Sequence, residues 1–143
     1  MDQERFNQLI MTYGRKVKPV GTAHRSWQVK REGRNSLCGD HASVYMNRSP
    51  KGYDILVESD GCMVCRASSN ILEDSLTGLD RETVRKTADA VIESFESDGE
   101  THLADVGESI KALIWLKRFP VRKKCAMISW RALSDALSAE EMQ

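Results

Sequence analysis

A chain of 143 residues with 41% hydrophobic and 29% charged content has the size and composition of one globular domain, 1–143, built on one core. Its 21 basic and 21 acidic residues cancel, so the net basic charge a general nucleic-acid binder needs is missing, and no run approaches the ~20 apolar residues that span a bilayer. The first residues, Met1-Asp2-Gln3-Glu4-Arg5, are too charged for a secretory signal, which leads us to expect a cytoplasmic protein with reduced thiols.

The chain opens on a predicted helix. Phe6, Leu9, Ile10 and Tyr13 share one face, Asp2 stands at the cap and Gly14 at the end. A basic, irregular stretch follows to about Ser26, and Trp27 to Lys30 alternates as a short strand would. Ala42, Val44 and Met46 alternate with Ser43, Tyr45 and Asn47. The turn Ser49-Pro50-Lys51-Gly52 then leads into a further strand, Tyr53 to Ser59, paired antiparallel with its predecessor.

From Gly61 the period changes to about 3.6. Val64, Ala67, Ser68, Ile71 and Leu72 form one helical stripe, ending near Thr77-Gly78. Asp80 caps the next helix, with Val84, Ala88, Val91, Ile92 and Phe95 on its buried face. Beyond the polar loop at Ser97 to Glu100, a helix is expected from Val106 to Leu116 and a last one from Val121 to Ala139. Strands first and helices later predict an α+β domain: a small antiparallel sheet of about three strands, helices packed on one face, and a metal site at one end.

Four cysteines in a reducing compartment call for a reading other than a disulfide framework. Cys38 lies in a tight Cys-Gly-Asp segment before a strand, Cys62 opens a helix where the dipole favours a thiolate, and Cys125 follows a run of cations. Three thiolates and the Asp40 carboxylate make a chemically sensible zinc set. Their spacing does not match the local ligand pairs of zinc fingers, and a free cysteine can equally be a small buried hydrophobe. On the residues alone both readings stand. His41 begins a strand and is read as a flanking residue. His24 and His102 are placed in loops, and Trp27, Trp115 and Trp130 are read as packing residues.

Three blocks carry a resemblance. Asn35-Ser36-Leu37-Cys38-Gly39-Asp40 resembles the Cys-Gly-Asp signature of the U-type iron–sulfur cluster assembly proteins, the IscU/NifU/SufU family. Gly61-Cys62 with Arg66-Ala67-Ser68-Ser69 resembles its second cysteine block, and Arg118 to Ala126, followed by Trp130 and Leu133, its third. The likeness covers about residues 27 to 137. It implies Cys38, Asp40, Cys62 and Cys125 as metal ligands and the family's sheet-and-helix fold. Lys124 stands where scaffold members carry His before the third cysteine, and a whole helix is inserted between Cys62 and Cys125. Both features resemble the SufU-like branch.

That branch implies a zinc-dependent sulfurtransferase that binds one zinc ion and accepts persulfide sulfur from a SufS-like cysteine desulfurase. Cys38 would be the acceptor, Arg122 would offset the negative site or hold a ligand, and downstream iron–sulfur assembly proteins would be recipients. The alternative is a scaffold that carries a transient [2Fe–2S] cluster. Neither a nucleic-acid nor a membrane partner is expected. Cys65 departs from the family pattern: Cys62-Met63-Val64-Cys65 alone suggests a thioredoxin-like pair, but the chain lacks the βαβ alternation of that fold, leaving helix packing or a relay thiol. Ser36 replaces a common Pro, and Thr12-Tyr13-Gly14 lacks the family's usual nearby His.

Overall fold

In chain order the elements are α1 (Gln3–Gly14), β1 (Val29–Arg34), β2 (His41–Ser49), β3 (Gly52–Asp60), α2 (Met63–Leu76), α3 (Arg81–Glu96), α4 (Glu108–Trp115) and α5 (Pro120–Glu141), with a 3-10 turn at Leu116–Arg118. The structure, a computed structural model, describes residues 1–16, 18, 25–98 and 106–142. The loop positions expected for His24 and His102 lie outside the described residues.

Helix starts follow local chemistry. Asp2 accepts the Arg5 N–H at 2.8 Å to cap α1, and Asp80 does the same for the Thr83 N–H at 2.8 Å at the head of α3. Pro120 sits in the first turn of α5, where its missing N–H costs nothing, so that helix begins one residue before the expected Val121.

The three strands form one antiparallel sheet in the order β1-β2-β3, with Val29 opposite Met46, Met46 opposite Ile55 and Val44 opposite Val57. Alternation therefore puts Val29, Val44, Met46, Ile55 and Val57 on one face, all buried beneath the helices. Helix α5 lies across β1 and β2, while α2 covers β3. Beyond them, α1 packs on α2 and α4, and α3 packs on α5.

The expected strand at Trp27 begins two residues later, at Val29. Side-chain bonds occupy the backbone just before it. Asn47 Oδ1 accepts the Gln28 N–H at 2.6 Å, and Gln28 Oε1 accepts the Arg48 N–H at 2.7 Å. Trp27 turns instead onto the outer face of the sheet, its ring 5.8 Å from Tyr45.

Between sheet and helices, Trp130 is fully buried. Its Nε1–H donates to Ser68 Oγ at 3.1 Å, and Ser68 donates to the Ala126 carbonyl at 2.6 Å. That chain ties α5 to α2 near the ends that carry Cys125 and Cys62. Trp115, half-buried at the edge of the core, packs on Phe6 at 4.4 Å between centroids, so both helical tryptophans are packing residues as their stripes predict.

Candidate metal centre

The loop between β1 and β2 follows their last pair, Arg34 and His41. Asn35 organises it: its carbonyl accepts the Gly39 N–H at 2.9 Å, its N–H donates to the Asp40 carbonyl at 2.9 Å, and its Oδ1 accepts the Leu37 N–H at 3.1 Å. Gly39 takes φ +75°, the left-handed conformation open to glycine at no steric cost. The result lifts Cys38 into solvent and turns Asp40 inward, only 6% exposed. Leu37 projects from the same loop, 83% exposed.

Asp40 meets two other parts of the chain. Gly61 lies against it so closely that a Cβ there would stand 2.5 Å from Asp40 Cγ. Cys62 follows as the N-cap residue of α2, its thiol exposed and unused as a cap. Cys125, in the second turn of α5, is buried. Donor atoms of Cys38, Asp40 and Cys125 all lie within 4.8 Å of one another. Cys62 faces Asp40 and Cys125 but is not among the three within that mutual distance.

The electrostatics favour a cation. Burial works to raise the Asp40 pKa, but the Cys62 thiol and N–H and the thiols of Cys38 and Cys125 outweigh it and hold the carboxyl below its usual range. None of them closes a hydrogen bond onto Asp40 Oδ2, which is buried without a partner among the described residues. Burial pushes the Cys125 thiol up, and the neighbouring Cys62, Cys38 and Asp40 push it further. An orphaned carboxylate oxygen beside three thiols fits a divalent ion, and the mixed sulfur–oxygen donor set suits zinc.

An open groove of about 490 Å³ leads to these residues, with Phe6, Ile10, Met63 and Leu116 supplying apolar lining. Arg122 lines it too. Its guanidinium lies 5.5 Å from the Phe119 ring centroid and makes no ion pair with Asp40. Cys65 belongs to the core instead: it is 1% exposed, its Sγ lies 4.0 Å from the His41 carbonyl, and burial, then the nearby Asp40 and Cys62, push its thiol up to about 12. Such a thiol is packing, which removes the thioredoxin-like pairing. His41 is half-buried at the start of β2, outside the donor group.

Sequence reasoning passed over Asn35 and Gly61 as builders of this site. Asparagine opening a tight loop was a usable signal for the first. Nothing local announces the second, because its contact is made across 21 positions of chain.

No family model matches the chain. Over 137 residues, 95% of this chain and 91% of the relative, it is 28% identical to the zinc-dependent sulfurtransferase SufU of Bacillus subtilis strain 168. Over 104 residues, 72% of this chain and 65% of the relative, it is 30% identical to the iron–sulfur cluster assembly scaffold protein IscU of Streptococcus pyogenes serotype M1. The fold matches the SUF-system protein FiSufU of Fervidobacterium islandicum AW-1 with a TM-score of 0.79 at 23% identity, covering 96% of this chain and 99% of that one. An N-terminal NifU-like protein of Brucella abortus gives a TM-score of 0.79 at 16% identity, covering 98% and 96%.

The fold, the three cysteine blocks and these relatives agree in supporting the U-type iron–sulfur cluster assembly family for this chain. Within that family the likeness is to SufU.

Proposed function

We propose that this protein is a zinc-dependent sulfurtransferase that accepts persulfide sulfur on Cys38 from a cysteine desulfurase. The observation that carries the reading is the division of labour among neighbouring donors: within the group of three, Cys38 is exposed while Asp40 and Cys125 are buried, and the other exposed thiol, Cys62, stands outside that group. A thiol that must reach a partner's active site has to be accessible, and groups that hold a metal need not be. The naming of the Bacillus subtilis relative as a zinc-dependent sulfurtransferase supports the same activity.

Asp40, Cys125 and Cys38, with Cys62 beside them, are the residues that would hold one zinc ion. When bound, zinc is redox-inert and stabilises thiolates without oxidising them. The remaining work belongs to the chain. The Cys38 thiolate attacks the outer sulfur of the donor's Cys–S–SH. A new S–S bond forms at Cys38, the donor's S–S bond breaks, and the donor cysteine leaves as a thiolate with no net oxidation. Asp40, whose carboxyl is held below its usual range, would be one of the residues holding the ion. Arg122 adds a fixed positive charge to the groove wall and acts as a positioning residue.

The experiment is desulfurase turnover with and without this protein. Wild type accelerates the enzyme; Cys38→Ser, a change at an exposed side chain, folds normally and accelerates nothing. Equal acceleration by the serine variant would reduce the protein to an adaptor. A second reading, a scaffold for a [2Fe–2S] cluster, is favoured by the scaffold naming of the IscU relatives. Anaerobic reconstitution that leaves a stable visible-absorbing cluster, lost on replacing Cys38, Cys62 or Cys125, would select it.

A further inference from the structure

A second groove, of about 470 Å³, lies between the loop that carries Cys38 and helix α5. Asn35 and Ser36 of that loop form part of its wall. Its charge is lopsided: Arg34, Lys123, Lys124 and Arg131 line it against one carboxylate, Glu96, which Arg131 already holds at 3.3 Å. Arg34 is paired outside the groove lining with Glu32 at 2.5 Å. Lys123 and Lys124 make no ion pair among the described residues, although the whole chain is electrically balanced. Met127 and Ile128, both buried, give the groove an apolar floor between its cations.

The dimensions separate possible occupants. Lys123, Met127 and Arg131 fall at i, i+4 and i+8 on one face of α5, so the two cations stand on the order of 12 Å apart at 1.5 Å per residue. One phosphate is too small to span that distance. Three to four residues of extended polypeptide, at about 3.3 Å each, do span it. A nucleic-acid backbone needs a broader basic surface than four cations on a chain of zero net charge, and Glu96 lies inside the groove. Because Asn35 and Ser36 sit on the Cys38 loop, whatever fills the groove lies beside the acceptor thiol.

We propose that this groove docks an acidic, extended segment of the protein that delivers sulfur to Cys38, with carboxylates toward Lys123 and Arg131 and an apolar side chain over Met127 and Ile128. The proposal rests on Cys38 being a sulfur acceptor and adds the chemistry of the donor's docking element. Exposed charges at an interface act mainly on encounter and orientation, so they govern how much acceptor is needed more than how fast the bound pair reacts.

The test titrates wild type, Lys123→Glu, Arg131→Glu and the double variant into the cysteine desulfurase of the same organism. Zinc content and unfolding temperature are measured on each. Arg131 is six residues beyond Cys125, so its reversal tests the groove away from the donor atoms. The expected result is a half-saturating concentration raised about tenfold in the double variant, with turnover at saturation within about twofold of wild type and the salt dependence of half-saturation flattened. A Glu-rich peptide containing one leucine should compete with the desulfurase for wild type but not for the double variant, whereas inorganic phosphate at equal ionic strength should not compete. Unchanged half-saturation in the double variant overturns the proposal. So does competition by phosphate without competition by the peptide, which would mark a small-anion site. Should wild type fail to accelerate the desulfurase, the sulfur-acceptor reading fails; direct peptide binding to wild type and its loss in the double variant then still report the groove's chemistry, and absence of peptide binding overturns that as well.

Discussion

Replacing Gly61 with alanine should damage the candidate metal centre without replacing any donor residue. The new Cβ would stand 2.5 Å from Asp40 Cγ, 2.6 Å from Oδ1 and 2.8 Å from Cβ. The nearest of these is about 0.9 Å inside the 3.4 Å at which ordinary contact begins. A rotamer change does not relieve it, because the Asp40 Cβ is itself one of the crowded atoms. Either the loop from Asn35 to Asp40 moves outward, breaking the bond between the Asn35 N–H and the Asp40 carbonyl, or the segment before α2 moves and takes Cys62 with it. Overpacking of this kind costs about 1–3 kcal/mol of stability. Displacing a ligand by that distance should weaken metal binding by roughly 10–100-fold, the usual effect of disturbing a ligand's support. Zinc affinity is read by competition with a chromophoric chelator, and stability by thermal unfolding in excess chelator. Wild-type zinc affinity in Gly61→Ala would refute the placement of Asp40 against Gly61, and with it the geometry proposed for the site.

Cys65→Ala should leave sulfur transfer intact, since that thiol lies in the core, and acceleration of the desulfurase checks it. The same variant should flatten an alkaline transition of the metal-free protein. The folded thiol's pKa is raised from 9.0 to about 12, so its contribution to stability is complete below about pH 9 and is lost as pH rises toward 12. Chemical unfolding across that window should show wild type losing stability more steeply, by up to ~1.4 kcal/mol per pH unit; equal slopes contradict the burial of an un-ionised thiol. At the far end of α5, Glu140 is 2% exposed and accepts the Tyr53 hydroxyl at 2.5 Å and the Arg48 guanidinium. Glu140→Ala strands that buried hydroxyl and should cost about 1–3 kcal/mol in thermal stability. Zinc content should hold, because Cys125 lies ~22 Å away along the helix; a loss of zinc would show the two ends to be coupled.

Periodicity made most of the fold legible. The stripe from Val84 to Phe95 and the cap at Asp80 describe α3 almost residue for residue, because each bears on a local rule. The start of β1 was less readable, since Asn47, nearly twenty residues further on, captures the backbone of Gln28 and delays the ladder to Val29. At the site, composition and spacing permitted a shared metal centre but did not require one. Only the fold brings Cys38, Asp40 and Cys125 within 4.8 Å, and only the fold distinguishes the exposed Cys38 from the buried Cys125. The support from Gly61 and the lysines beside the Cys38 loop are products of packing between distant segments. No single stretch of sequence carries that information.

The central claim is that one chain holds zinc and accepts sulfur on Cys38. It is met most directly by metal analysis of the purified protein, followed by mass-spectrometric persulfide mapping after incubation with the desulfurase and cysteine. The account predicts about one zinc per chain and an added sulfur on the peptide containing Cys38. A protein that binds no zinc, or one whose added sulfur sits on Cys62, Cys65 or Cys125 and never on Cys38, would contradict it.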